Sequence, residues 1–250
     1  MWKAGWILVT VALLALAASC IEAGRGPQGA GTPGPAPTPT VGGASQGDQA
    51  AALLARAVES LDQAKSYRFT IQAVHHWRSP EGQEYDWAFE GEGAAVAAGR
   101  FRSVMRGPAD TFFEVKIVDG KVVNRDARGE RRDATTAFGG PGLGAAPYTV
   151  ISYLRSGSAQ GQPQTASLNG SEALRLAFAP NFGKVAAMDA SHKAALEKVQ
   201  AAQGVVWVDN KSGRVTQEAV TVQSLDGSGS PQTATITLKF YDYDSAIEIN

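Results

Sequence analysis

The side chains whose types and spacing could do chemistry are three histidines, a row of four carboxylates and a serine in a G-x-S-x-G stretch. His75 and His76 are adjacent in a segment with strand-like alternation, so their side chains leave on opposite faces, and His192 lies far along the chain. They read as solvated or edge-strand histidines rather than metal ligands. Glu84, Asp86, Glu90 and Glu92 recur at even spacing and share one strand face. Such a row could hold a cation, but the polar face of an exposed strand has the same pattern and is the simpler reading. Gly43-Ala44-Ser45-Gln46-Gly47 matches the nucleophile elbow of serine hydrolases, yet no strand pattern precedes it, and that elbow needs a strand before it and a helix after it. H-E-x-x-H, the phosphate-binding P-loop, the dinucleotide fingerprint and, in the folded part, S-x-x-K are all missing from the sequence. No catalytic residue, no metal ligand and no cofactor is assigned, and the chain is expected not to be an enzyme.

The one cysteine, Cys20, excludes an internal disulfide framework and any multi-cysteine metal cluster. Its setting is informative. Met1-Trp2-Lys3 is followed by an apolar run from Ala4 to Ala18 and then by Ser19, a signal-peptide pattern over residues 1–19 that is too short to span a bilayer. LAASC resembles the bacterial lipobox, in which the cysteine receives a diacylglycerol thioether and becomes the mature N-terminus. Two or three acyl chains of the palmitate kind would hold such a protein stably on a membrane, whereas one binds marginally. Residues 21–47 contain 8 Gly and 5 Pro in 27 positions, so with Cys20 they are expected to form a lipidated, disordered tether over 20–47. Fully extended, that tether reaches about 80 Å.

Residues 48–250 remain for one folded domain. Lys plus Arg number 23 against 24 Asp plus Glu, a balance that excludes a strongly basic nucleic-acid binder. Arg125, Arg128, Arg131 and Arg132 are offset by Asp126, Glu130 and Asp133 and read as a mixed-charge turn. Asp48 suits a helix N-cap, and Leu54, Ala57, Val58, Leu61 and Ala64 follow at helical spacing up to Lys65. From Tyr67 the period becomes two. Tyr67, Phe69, Ile71 and Ala73 share a face, as do Tyr85, Trp87 and Phe89, then Phe113, Val115 and Ile117. Asp119-Gly120 is a tight-turn pair, and Asp209–Gly213 and Asp226–Ser230 are longer turns. A Gly-rich loop over 139–144 leads to Pro147 at the first position of a short apolar helix carrying Val150, Ile151 and Leu154 before Gly157. A strand pair with Leu174, Leu176 and Phe178 follows. A second amphipathic helix is expected from about Asp189 to Gln203, closed by Gly204, and two strands end the chain, the last with Ala234, Ile236, Leu238 and Phe240 on one face.

Roughly nine or more strands, each apolar on one face, must be covered by few helices, and a sheet that wraps its own apolar face around those helices solves this. The expected fold is α+β: a single strongly curved antiparallel sheet, an unclosed β-barrel, with helices on its concave face. A two-sheet sandwich is the competing solution but leaves the helices without a place. Periodicity cannot say whether the aromatic-rich inner face is a filled core or a cavity.

Four stretches, LLARAVESLDQAKSYRFTIQ, TASLNGSEALRLAF, VVWVDNKSGRV and TITLKFYDYDSAIEIN, occur in an order that resembles the LolA/LolB-like superfamily, closest to LppX/LprG-type bacterial lipoproteins. The resemblance covers roughly residues 50–250. It implies a hydrophobic cavity accepting the acyl chains of a lipid or lipoprotein, with lipid binding or transport and no catalysis. The cavity-lining residues are then Phe69, Ile71, Trp87, Phe89, Phe101, Phe113, Val115, Ile151, Leu154, Leu176, Phe178, Ile236, Leu238 and Phe240, with Cys20 as the lipid anchor. The expected partners are a lipid or acylated ligand and, through the N-terminal lipid, a bacterial membrane facing the periplasm or another extracytoplasmic space. No nucleic acid is expected. The alternative is a sensor or scaffold module of the same fold that binds a protein partner in the cell envelope, as the related RseB-like regulators do.

Overall fold

The computed structural model describes residues 45–79, 81–97, 99–108, 111–118, 121–126, 131–132, 147–168, 170–188, 196–225 and 229–249. The signal peptide, Cys20, the tether up to residue 44, Asp119-Gly120, Arg128, Glu130, Asp133, the 139–144 loop, His192 and 226–228 lie outside them.

The order of elements is α1 (Gln46–Asp62), β1 (Ser66–Arg78), β2 (Glu84–Val96), β3 (Arg100–Arg106), β4 (Phe112–Val118), β5 (Lys121–Asp126), β6 (Arg131–Arg132), α2 (Pro147–Ser156), β7 (Ser158–Leu168), β8 (Ser171–Ala179), α3 (Phe182–Met188), β9 (Val199–Asp209), β10 (Val215–Leu225) and β11 (Pro231–Tyr241). All eleven strands form one sheet in the order β6-β5-β4-β3-β2-β1-β11-β10-β9-β8-β7, with every neighbouring pair antiparallel. Two meanders, β1 to β6 and β7 to β11, are thus joined through the β1–β11 pair. Edge strands β6 and β7 do not meet, so the curved sheet is unclosed, as the strand patterning predicts, and the sandwich is excluded.

Cross-strand pairs stand on the same face of a sheet, so the registers define rows of side chains. One row runs Phe89, Ala73, Ile236, Val220, Gly204, Phe178, and the next runs Ile71, Leu238, Glu218, Val206, Leu176. This is the buried face. Helix α1 packs on it over β7, β8 and β10, α2 over β9 and β11, and α3 against α2. Every residue of α2 except Arg155 is buried, the helix lying on the apolar face against β9 and β11. Pro147 opens it as expected.

Three expectations are corrected. The N-cap of α1 is Ser45, three residues before Asp48; Ser45 Oγ accepts from the Asp48 amide at 3.3 Å and the Asp48 carboxylate accepts from the Ser45 amide at 3.0 Å. Serine and acid at this spacing form a capping box, which satisfies two amides where Asp48 alone would satisfy one. The serine of the G-x-S-x-G stretch is therefore a helix cap. Second, the helix expected over Asp189–Gln203 is not continued at its end: Val199–Gln203 belong to β9, where Ala202 pairs with Val222 and Gln203 with Thr221. Ladder pairing overrides the helical preference of this Ala/Gln-rich stretch. Gly204 is accordingly no helix terminus but lies mid-strand beneath the Phe178 ring. Third, α3 was not expected from the sequence; Asn181 caps it by accepting the Lys184 amide at 3.0 Å.

The C-terminal turn fastens the end of α1 to the sheet. Asp244 adopts a φ of 60°, its carboxylate accepts from the Lys65 amide at 2.8 Å and from Arg214 at 2.5 Å, and its amide donates to Ser66 O at 2.8 Å. These donors, the Lys65 amide first, hold the Asp244 carboxyl below the usual carboxylate range. The Asp209–Gly213 turn forms as expected, Asp209 Oδ1 accepting from the amides of Lys211 and Ser212.

Candidate functional site

Where the C-terminal end of α1 and one side of α2 approach β1–β4, the buried face opens into a cleft of about 510 Å³. Its apolar wall includes Leu61, Ala95, Phe101, Ile117, Ile151 and Met188, and its polar lining includes Asp62, Tyr67, Arg100 and Arg155. The volume falls within the roughly 300–1,000 Å³ of small-molecule sites. Arg155, the one exposed residue of α2, reaches α1, its Nε 2.9 Å from Asp62 Oδ1. Burial raises the Tyr67 phenol above its ordinary value, and the Arg155 guanidinium beside it pulls in the opposite direction.

Of the fourteen residues expected to line a cavity, Phe101 and Ile151 line this cleft. Phe69, Ile71, Phe89, Val115, Leu154, Leu176, Phe178, Ile236, Leu238 and Phe240 belong to the continuous buried core, and Phe113 packs half-buried against it. The Phe69 ring stacks on Phe101 at 5.6 Å and touches Phe240 at 6.0 Å, so these rings form the wall behind the cleft. Trp87 is 45% exposed. It stands beyond Phe89 on β2, where Tyr85 is also exposed and stacks on Trp77 at 5.1 Å.

Glu218 carries no signal in the motifs read above. It occupies the row between Leu238 and Val206, is 0% exposed, and neither carboxylate oxygen has a hydrogen-bond partner among the described residues. Burial raises its carboxyl well above the ordinary value, with Arg155 acting weakly the other way. The signal in the sequence is parity: Glu218 is in step with Val220 and Val222, the inward residues of β10. His75 corrects the reading of the histidines as solvated or at an edge. It lies on central strand β1, 5% exposed, its ring edge-on to Phe89 at 5.2 Å, and burial, helped by His76, lowers its pKa to about 4. Its neighbour His76 does face solvent, 2.5 Å from Asp86.

The carboxylate row is the exposed polar strand face that the simpler reading gives. Asp86 pairs with His76 and Glu84 with Arg78, and no three acidic, histidine or cysteine side chains converge on a metal position among the described residues. Among the same residues, no helix is long and apolar enough to cross a membrane.

No family model matches the chain, and no curated protein matches it. Among solved structures it is similar to a DUF1329 family protein from Desulfovibrio piger, with 11% identity over 82% of this chain and 95% of that one at a TM-score of 0.37. It is also similar to a LolA superfamily protein from Nitrosomonas europaea, with 11% identity over 80% of this chain and 95% of that one at a TM-score of 0.33. A chain of the MucA/MucB complex from Pseudomonas aeruginosa is similar at 15% identity over 80% of this chain and 59% of that one, with a TM-score of 0.36. The fold itself rests on the strand order above.

Proposed function

We propose that this chain is an extracytoplasmic bacterial lipoprotein, anchored through Cys20, that binds or carries a lipid or acylated molecule without catalysis. The carrying observation is the cleft, an opening in the one-sided apolar face with Phe101 and Ile151 on its wall and the Phe69 and Phe240 rings behind. Apolar surface removed from water at about 25 cal/mol per Å² supplies the driving force, and a few polar groups at the rim orient the ligand. Serine-hydrolase chemistry needs a hydroxyl paired with a base, and Ser45, the serine of the hydrolase-like stretch, spends its hydroxyl on a helix end.

Native mass spectrometry on protein purified from a membrane-containing host is expected to show retained lipid released by organic solvent. Protein that is consistently ligand-free and takes up no lipid removes the carrier reading. Anchoring is tested separately: Cys20→Ala should move the protein from the membrane fraction to the soluble one, and unchanged fractionation overturns the anchor.

A second reading, a module that binds a protein partner in the envelope, is favoured by the half-exposed Trp77, Tyr85 and Trp87 rings, since aromatic residues are enriched at protein interfaces. It is the reading that stands if the protein is lipid-free and crosslinking through this hairpin captures one envelope protein.

A further inference from the structure

The charged groups of the cleft say what kind of amphiphile it takes. Two of its lining residues are arginines, Arg100 and Arg155, and one is an acid, Asp62, so its polar lining carries an excess of positive charge. Asp62 Oδ1 lies 2.9 Å from Arg155 Nε. A guanidinium presents five donors, and this contact with Asp62 leaves the terminal nitrogens to serve Tyr67 and a ligand. Arg100 forms no ion pair among the described residues, is exposed, and immediately precedes Phe101, whose ring is on the apolar wall. Strand alternation turns the Phe101 ring inward and leaves Arg100, the first residue of β3, on the exposed face, where it borders the cleft. Arginine favours planar or tetrahedral oxyanions because its fork matches two oxygens at once, and an apolar wall strengthens the attraction by excluding water.

We propose that the cleft selects amphiphiles with an anionic head, a carboxylate or a phosphate monoester, with Arg100 and Arg155 holding the head while the chain lies along Leu61, Phe101, Ile117, Ile151 and Met188. This rests on the carrier reading and narrows it to a ligand class. Arg100 supplies the added charge, and Arg155, steadied by Asp62, fixes where the head sits.

The test titrates the full mature chain at pH 7.4 with three probes of equal chain length: palmitate, hexadecyl phosphate and 1-hexadecanol. At least one of the two anions is expected to bind ten times or more tighter than the alcohol, and whichever does so names the head as carboxylate or phosphate. In Arg100→Gln, an exposed position whose replacement leaves the fold intact, the preference should fall below threefold while the alcohol binds unchanged. Arg155→Gln should act in the same direction, with thermal unfolding run alongside because it also frees Asp62. Three probes binding within twofold of one another overturn the anion selectivity and leave the carrier standing; a preference that survives in Arg100→Gln overturns the part assigned to Arg100. Binding of none of the three overturns both.

Discussion

Gly204→Val is expected to destabilise the folded chain by about 3 kcal/mol, read as a lower urea midpoint with an unchanged slope. A Cβ at residue 204 would stand 2.2 Å from Phe178 Cζ and 2.4 Å from Cε1, far inside van der Waals contact. The ring cannot retreat, because it is 1% exposed and its other side meets Gly157, where an added Cβ would lie 2.8 Å from Cδ2. Phe178 and Gly204 are also direct partners across β8 and β9, so the clash strains the ladder itself. The diagnostic is compensation. Phe178→Leu alone should cost about 1–2 kcal/mol as a cavity, but in the Gly204→Ala background it should recover part of the loss, giving a coupling of about 1 kcal/mol. Additive costs, or a Gly204→Val protein within about 0.5 kcal/mol of the parent, would show that the ring is not pinned.

The same glycine shows where sequence reading stops. As the end of an Ala- and Gln-rich stretch it has the look of a helix terminus, and only the Phe178 ring lying across it explains why a residue without a side chain belongs in mid-strand. Gly93 plays the same part beneath Phe69, its strand partner on β1. Local alternation carried most of the sheet: Phe69, Ile71 and Ala73 on β1 and Ala234, Ile236, Leu238 and Phe240 on β11 all face the core as period two requires. Period two names a face, not how far along it the helices reach. Trp87 shares the face of Phe89 yet stands 45% exposed for that reason. The cleft was less legible still. Asp62, Arg100, Tyr148 and Arg155 come from α1, β3 and α2, and no spacing within one element joins them. Its lining at Leu61, Ala64, Tyr67, Phe101, Ile117 and Ile151 was legible through apolar periodicity; the charged lining was not.

Glu218 and His75 are buried titratable groups in step with the inward residues of β10 and β1, a signal that no motif carries. Their consequence is a stability profile with opposed slopes. Glu218 keeps its proton in the fold above pH 4.5, where an unfolded glutamic acid loses it, so the unfolded chain binds fewer protons and stability falls as pH rises from 4.5 through the elevated folded value. His75 stays neutral in the fold down to about 4, whereas an unfolded histidine gains a proton below 6.5, so stability is full above 6.5 and is lost as pH falls to about 4. Each slope is about 1.4 kcal/mol per pH unit at most. Where the two ranges overlap above pH 4.5, the opposed slopes offset one another.

Single variants expose the hidden terms. Glu218→Gln should match the parent near pH 4 and gain on it as pH rises from 4.5 through the elevated folded value. With the glutamate gone, stability between 4.5 and 6.5 should rise with pH, the His75 slope standing alone. His75→Gln should do the reverse, its stability rising as the solution is acidified toward 4.5, with about 3 kcal/mol separating it from the parent's acid limb by pH 4. Chemical denaturation at five pH values for the three proteins gives all the slopes. If Glu218→Gln runs parallel to the parent from pH 4 to 8, Glu218 is ionised in the fold and must have a cationic partner within reach. Arg155 is then the group to find there, since it is the cation whose field already opposes the burial of Glu218.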